Sequence, residues 1–166
     1  TPANKDYSTS FNLVAGADLS SASLQATRHE GTANLSLNNG AVVRTGTGDI
    51  QLAAANDIVI GSGSSVYTGG AKGAATSIDA DGANGYPEQG GSITLTAGHD
   101  VVGSTVVQAV SDWQTHWARF KADGTTDSVA YWGMDFSRFG WNIGTFGGGD
   151  VRIDAGHDAI DLSVAV

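Results

Sequence analysis

The chain contains no cysteine, which excludes disulfide bonds, thiol catalysis and cysteine-ligated zinc. Proline is almost absent as well, with two residues in 166, while glycine reaches 24. Glycine at this density without proline is typical of many tight turns between short strands, and not of a linker. No run of residues is long and apolar enough to cross a bilayer, so we expect no membrane insertion.

Positive charge is also scarce, because 8 basic residues stand against 17 acidic ones and leave a net charge of −9. Nucleic acid phosphates and anionic membranes attract basic surfaces, so this balance predicts that the chain binds neither. Only two of the acidic residues, Glu30 and Glu88, are glutamate. Aspartate favours turns and glutamate favours helices, so the bias indicates a β-protein.

An internal repeat is the most informative feature that the chain does contain. Four copies share apolar residues at alternate positions, an aspartate after the turn, and an alanine three residues before that aspartate. They are FNLVAGADL (11–19, Asp18), GDIQLAAANDIV (48–59, Asp57), GSITLTAGHDVV (91–102, Asp100) and GDVRIDAGHDAI (149–160, Asp158).

Each copy has the pattern of a strand, a turn and a second short strand. Val151, Ile153 and Ala155 fall on one side of a strand, while Arg152 and Asp154 fall on the other. The following Gly/Ala–Asn/His–Asp triplet predicts a tight turn in which glycine adopts a positive φ. One such unit cannot bury its own apolar side, whereas stacked copies form a continuous core.

The spacing of the aligned aspartates is 39, then 43, then 58 residues. We interpret these intervals as two coils of about 20 residues each, with an insertion in the last. Aligned aspartates are then about 10 Å apart, and about six coils form a stack roughly 30 Å tall. VRTG (43–46) and VYTG (66–69) form a second repeat, and LSL (35–37) predicts another strand. Two apolar columns are predicted to carry the core: Ile50, Ile93, Val151 and Leu52, Leu95, Ile153.

Aromatic residues concentrate in residues 111–146, which hold all four tryptophans and four of the five phenylalanines. The i, i+4, i+7 spacing of Trp113, Trp117 and Phe120 predicts a short helix there, and YWGMDF (131–136) predicts an edge strand. Residues 70–89 read as a loop rich in Gly, Ala and Asp. The expected fold is therefore all-β, a single parallel β-helix over residues 1–166 with one aromatic helix/strand insertion.

Several stretches resemble filamentous haemagglutinin-type exoproteins. They are RTGTGDI (44–50), the three Ala–Gly/Ala–His/Asn–Asp turns, GGGDV (147–151), VAGADLS (14–20) and the Trp132, Asp135, Phe136 and Phe139 pattern. The resemblance implies a right-handed parallel β-helix from a Gram-negative bacterium, secreted through the outer-membrane transporter of a two-partner system. It also implies a surface adhesin or matrix protein, with no catalytic residue to carry over. We expect the chain to be a segment of a longer protein.

The aromatic residues are the first candidate binding site. Trp113, Trp117, Trp132, Trp141 and Tyr86 can form a contact surface, because Trp and Tyr dominate binding hot spots and stack on sugar rings. Alternatively, the tryptophans of the insertion form a satellite core that covers one side of the β-helix.

Residues 79–85 are a candidate calcium loop, since Asp79, Asp81 and Asn84 place oxygen ligands at spaced positions. A distal bidentate glutamate is missing at the expected offset, and the same string is ordinary turn chemistry. No other cofactor is expected.

Two histidines, His99 and His157, share one repeat position. The earlier copies carry Asn56 and Ala17 there, which favours a role in the turn over metal binding.

Some β-helices cleave polysaccharides, and such sites need clustered carboxylates. Asp150, Arg152 and Asp154 are predicted to face outward on one strand, which we interpret as a solvated surface. The sequence thus predicts a non-catalytic adhesin or structural rod that contacts host, cell or matrix glycans and proteins. The alternatives are a polysaccharide-binding or polysaccharide-cleaving protein, and a filament subunit that self-associates through its coil ends.

Overall fold

The alternation of apolar and polar residues forms short strands in the structure, a computed structural model that describes residues 8–71, 87–120, 123 and 126–166. The described chain is all-β, as predicted. Twelve of its strands belong to four successive segments, each of which contributes three strands. We call each segment a layer.

Layer 1 contains β1 (Phe11–Ala15), β2 (Leu35–Leu37) and β3 (Val42–Thr45). Layer 2 contains β4 (Ile50–Ala54), β5 (Ile58–Ile60) and β6 (Ser65–Thr68). Layer 3 contains β7 (Ile93–Ala97), β8 (Val101–Val102), the hairpin strands β9 (Gln114–Phe120) and β10 (Thr126–Met134), and β11 (Ile143–Thr145). Layer 4 contains β12 (Val151–Ala155), β13 (Ala159–Ile160) and β14 (Val164–Ala165).

The layers combine into three parallel sheets, because each layer gives one strand to each sheet. The orders are β1-β4-β7-β12, β2-β5-β8-β13 and β3-β6-β11-β14. Pairing in the first sheet is in register across all four strands, with Ile50 opposite both Phe11 and Ile93, and Ile93 opposite Val151. Each layer therefore forms hydrogen bonds with the layers directly before and after it.

Side chains from all three sheets meet in one apolar interior. The predicted columns are confirmed, since Ile50, Leu52, Ile93 and Leu95 are almost fully buried and Val151 and Ile153 pack against them. The second and third sheets complete this core with Leu35, Leu37, Ile58, Ile60, Val66, Val101 and Ile143. Fully burying one such aliphatic side chain contributes about 1.5–3 kcal/mol, so these columns are a main source of stability.

The predicted pair of coils between successive aspartates is wrong. Strands β4, β7 and β12, which carry the repeat, are direct hydrogen-bonded neighbours, so each copy is one layer and not two. A layer needs about 40 residues because it has three strands and three corners. Four layers at about 4.8 Å give a stack of roughly 15–20 Å, shorter than the predicted one.

The predicted helix in the aromatic insertion is also wrong. Residues Gln114–Phe120 form β9, which pairs antiparallel with β10 in a two-stranded sheet, after a single 3₁₀ turn at Val110–Asp112. The aromatic and β-branched residues of this stretch favour a strand, and long-range backbone pairing overrides the helical spacing. The predicted edge strand at 131–136 lies largely within β10.

Glycine in the repeated turn has the predicted positive φ in the first copy, where Gly16 has a φ of 74°, but in the later copies it serves close packing instead. Gly98 and Gly156 do not adopt positive φ, but a Cβ atom on Gly98 would lie 2.2 Å from the Ala55 carbonyl oxygen. On Gly156 it would lie 2.1 Å from the Gly98 carbonyl oxygen. Any side chain at these positions would force the layers apart.

A threonine closes the corner at which each layer continues into the next. The buried Thr68 hydroxyl donates to the Gly91 carbonyl at 2.7 Å, and Thr145 donates to the Gly149 carbonyl at 2.7 Å. Thr45 makes the same contact with Gly48 in the first layer. These bonds satisfy carbonyl groups that the sheets leave unpaired at the corners.

Replacing Leu95 with aspartate tests the interior directly. Leu95 is fully buried between Leu52 and Ile153, so Leu95→Asp places an unpaired charge in an apolar environment and should prevent folding. The matched control is Thr94→Asp, because Thr94 lies on the outer side of the same strand beside Arg152. Circular dichroism melting should show loss of the transition for Leu95→Asp and a near-wild-type transition for Thr94→Asp. Equal melting of both variants would contradict the core assignment.

Candidate functional site

Aspartate side chains connect the layers at the corner between the first and second sheets. The Asp57 backbone N–H donates to Asn34 Oδ1 at 3.1 Å, the Asp100 N–H donates to Asp57 Oδ1 at 3.1 Å, and the Asp158 N–H donates to Asp100 Oδ1 at 2.9 Å. Each side chain thus accepts a backbone hydrogen bond from the next layer. This ladder explains the aspartate of the second and third copies of the repeat, and Asn34 takes the equivalent role in layer 1.

A second ladder runs along the corner that precedes the first sheet. The Asp49 N–H donates to Ser10 Oγ at 3.1 Å, the Ser92 N–H to Asp49 Oδ1 at 2.8 Å, and the Asp150 N–H to Ser92 Oγ at 3.2 Å. Both corners of the first sheet are therefore held by side-chain oxygens that accept from the adjacent layer.

Two histidines stack at the surface of the first of these corners. The imidazole rings of His99 and His157 are nearly parallel, at 6°, with centroids 4.9 Å apart. His99 Nδ1 lies 3.1 Å from Asp57 Oδ1 and 3.2 Å from Asp100 Oδ2. His157 Nδ1 lies 3.1 Å from Asp100 Oδ1 and 3.3 Å from Asp158 Oδ2. We call these five residues the histidine–aspartate cluster.

The contacts of the cluster shift the pKa of two of its members. The hydrogen bond to Asp100 raises the pKa of His157 above 6.5, and the charges of Asp158 and Asp100 add to this effect. Desolvation raises the pKa of Asp100, but hydrogen bonds from the Asp158 N–H and His157 and the positive charge of the imidazoles outweigh it and leave the pKa lowered. The cluster therefore favours a charged pair between layers 3 and 4.

An open cleft of about 530 Å³ lies next to His99. The loop that joins β1 to β2 lines one side with Arg28, His29 and Glu30, and Asn56 and His99 line the other. The side chains of His99 and His157 are 52% and 62% exposed. Solvent ions therefore reach both imidazoles.

An aromatic cluster covers the outer face of the third sheet, built on the buried residues Tyr67, Trp113, Phe139 and Phe146. Tyr67 projects from β6, and its ring stacks on Phe136 with centroids 5.6 Å apart and an interplanar angle of 4°. Phe139 and Phe146 meet edge to face at 5.0 Å. Such contacts add about 0.5–1.5 kcal/mol each beyond the area that they bury, so this cluster is a second core.

The cluster lies against the sheet because β11 carries a glycine there. A Cβ atom on Gly144 would lie 2.7 Å from Phe139 and 2.8 Å from Phe146. A cavity of about 190 Å³ remains beside Trp113, Met134 and Phe146. Sites for drug-sized ligands usually have about 300–1,000 Å³, so this cavity is too small to enclose one.

The structure separates the predicted contact residues. Trp113 is 5% exposed within the aromatic cluster, which fits the satellite-core alternative and leaves it little surface for a partner. Trp141 packs on Trp113 at 5.8 Å while its indole N–H donates to the Gln108 carbonyl at 3.1 Å, and it remains partly exposed. The side chains of Trp117 and Trp132 lie outside the described part of the structure.

Of the remaining predicted sites, some lie within the described residues and some lie outside them. Tyr86 and the calcium candidates Asp79, Asp81 and Asn84 lie outside the described residues, so the calcium site stays a prediction. Arg152 Nε is paired with Asp154 Oδ2 at 2.7 Å on the outer side of β12. This exposed ion pair fits the interpretation of a solvated strand surface.

Sequence patterns did not reveal two parts of the site. Asn34 starts the aspartate ladder, but residues 20–33 separate it from the first copy of the repeat, where Asp18 instead accepts from Ser20. Tyr67 belongs to the aromatic cluster although it lies far from residues 111–146 in sequence. The alternation of residues in β6 could have indicated this position, because Val66 faces the interior and Tyr67 must then face outward.

In comparisons with protein-family models, curated protein sequences and solved structures, nothing matches the chain. Within the described residues, a helix with the length and hydrophobicity needed to cross a membrane is not found.

The raised pKa of His157 predicts a pH-dependent stability. Because the folded-state pKa lies above 6.5, His157 stabilises the fold fully below that pH and loses the effect as pH rises through the folded pKa. The carboxylates of Asp100 and Asp158 contact His157 directly, the ring of His99 stacks on it, and Asp57 contacts His99 on the far side.

The test compares melting temperatures of the wild type and His157→Asn from about pH 5 to about pH 8 in metal-free buffer. The melting temperature of the wild type should exceed that of His157→Asn most at about pH 5. The difference between the two melting temperatures should narrow toward about pH 8. A gap that does not change with pH would contradict the assignment.

Proposed function

We propose that this chain is a segment of a large secreted adhesin or extracellular rod of a Gram-negative bacterium, folded as a right-handed parallel β-helix whose coils are the four layers. The parallel pairing of every layer with the next supports the fold. The motifs that carry the resemblance support the family. RTGTGDI (44–50) spans the corner between β3 and β4, and the Ala–Gly/Ala–His/Asn–Asp turns join the first sheet to the second.

The single observation that carries this proposal is the repetition of the same contacts between layers. Backbone ladders in three sheets and side-chain ladders at two corners recur from one layer to the next. A stack in which each layer contacts only its neighbours resists bending and can be lengthened by further layers. These are the properties of a rod that holds a binding surface away from a cell.

The binding surface in this proposal is the exposed edge of the aromatic cluster, together with the loop predicted at residues 70–89, most of which lies outside the described residues. Trp141 is the described residue best suited to contact a sugar ring, because it is partly exposed and its N–H is already bonded to Gln108. Secretion through a two-partner outer-membrane transporter belongs to the same proposal.

A polysaccharide-cleaving protein is the alternative. Such enzymes place two carboxyl groups about 5–9.5 Å apart across the scissile bond. The candidate carboxylate Asp154 is instead bound to Arg152 on an exposed strand. We therefore favour binding without cleavage.

The proposal is tested by presenting the immobilised chain to a panel of glycans and matrix proteins, followed by an assay for released oligosaccharide. We expect saturable binding to at least one ligand and no product. Trp141→Ala should weaken binding on the order of tenfold, while Trp141→Phe, which keeps an aromatic ring, should retain most of it.

Two results would overturn the proposal in different ways. Wild-type chain that binds nothing on the panel would remove the adhesive role. Released oligosaccharide that depends on Asp154 would establish the enzymatic alternative.

A further inference from the structure

We propose that His99, Asp100 and His157 bind one transition-metal dication of the Zn²⁺ class at the surface, where the ion joins layer 3 to layer 4. This site is independent of the adhesive role. It comes from the stacking of two layers, which brings together residues 58 positions apart in the sequence.

Two of the three donor separations are already close to what such a site needs, and the third must close. One ligand atom from each of the three residues lies within 4.8 Å of the others. In a tetrahedral zinc site with bonds of 2.0–2.1 Å, neighbouring ligand atoms are about 3.3 Å apart. The distance from Asp100 Oδ1 to His157 Nδ1 is 3.1 Å, and that from Asp100 Oδ2 to His99 Nδ1 is 3.2 Å. Each imidazole Nδ1 is therefore close to ligand spacing from one Asp100 oxygen, and metal binding requires that the Nδ1 proton held in each of these contacts move to Nε2 or leave to solvent.

Binding requires a tilt of the two imidazole rings, which are exposed enough to rotate. The imidazole rings are stacked and must tilt toward each other so that both nitrogen lone pairs meet one ion. Both rings are more than half exposed, so rotation of the side chains does not disturb the interior. The adjoining cleft gives an ion access to His99.

Charge and donor type favour this class of ion. Three carboxylates, from Asp57, Asp100 and Asp158, surround the two imidazoles, and a dication offsets part of their mutual repulsion. Imidazole nitrogen with carboxylate oxygen suits Zn²⁺, Cu²⁺ and Ni²⁺, whereas Mg²⁺ and Ca²⁺ take oxygen ligands.

The chain itself supplies a matched variant. Asn56 occupies the equivalent turn in layer 2, and its Nδ2 donates to Asn34 Oδ1 at 2.9 Å and to Asp57 Oδ2 at 3.1 Å. These contacts reproduce those of the histidines above it. His99→Asn and His157→Asn should therefore keep the turn and its hydrogen bonds while removing a metal ligand.

The experiment titrates Zn²⁺ into the full chain by calorimetry and records the melting temperature, with Mg²⁺ as the control ion. We expect one Zn²⁺ per chain, a melting temperature that rises to a plateau, and no response to Mg²⁺. His99→Asn and His157→Asn should each weaken binding by at least about tenfold. Co²⁺ should give tetrahedral absorption bands in the wild type that both variants lose.

The control variant is Asp135→Asn, since Asp135 lies in the aromatic insertion, away from the cluster, and its side chain is bonded to Ser137. It should bind Zn²⁺ as the wild type does. The proposal is overturned if the wild type fails to bind Zn²⁺, if both cluster variants bind it with wild-type affinity, or if Asp135→Asn loses as much affinity as they do.

Discussion

The fold depends on the requirement that each layer satisfy the backbone hydrogen bonds of its neighbours. The three sheets meet this requirement along the strands, where every residue of β4 pairs with one of β7. At the corners the backbone turns away from the ladder, and its N–H groups need other acceptors. Asp57, Asp100 and Ser92 provide them with side-chain oxygens that reach the next layer. The hydrogen bonds between side chains and backbone at the corners therefore help to fix the strand register that brings the apolar columns together.

The same register produces the histidine–aspartate cluster as a consequence. Stacking at the strand spacing places the ring of His157 directly over that of His99, and the carboxylate of Asp100 contacts the Nδ1 atom of each. The aromatic cluster arises differently, because an insertion within layer 3 folds back over the third sheet and packs on Tyr67. One side of the stack thus carries exposed titratable groups, and another is closed by a second core.

Sequence patterns predicted the parts of the structure that depend on local alternation. The columns through Leu52, Leu95 and Ile153 follow from period-2 patterning within strands of five residues. The predicted second short strand of each copy is present as β5, β8 and β13, but the repeat at 43–46 and 66–69, which predicted an additional coil, forms the third strand of the same layers as β3 and β6. The strand β9 was missed because its pairing with β10 is long-range, and Asn34 was missed because a loop displaces it from the repeat.

The measurement that tests the account most directly is cross-linking between adjacent layers, which the cysteine-free chain allows without interference. Gln51 and Thr94 are register partners on neighbouring strands, about 4.8 Å apart, within the range that a disulfide spans. Gln51 and Arg152 are separated by one intervening strand and lie about 10 Å apart, beyond that range. Under mild oxidation Gln51→Cys with Thr94→Cys should form an intramolecular disulfide, and Gln51→Cys with Arg152→Cys should not. No disulfide in the first pair, or an efficient one in the second, would contradict a stack of one layer per repeat.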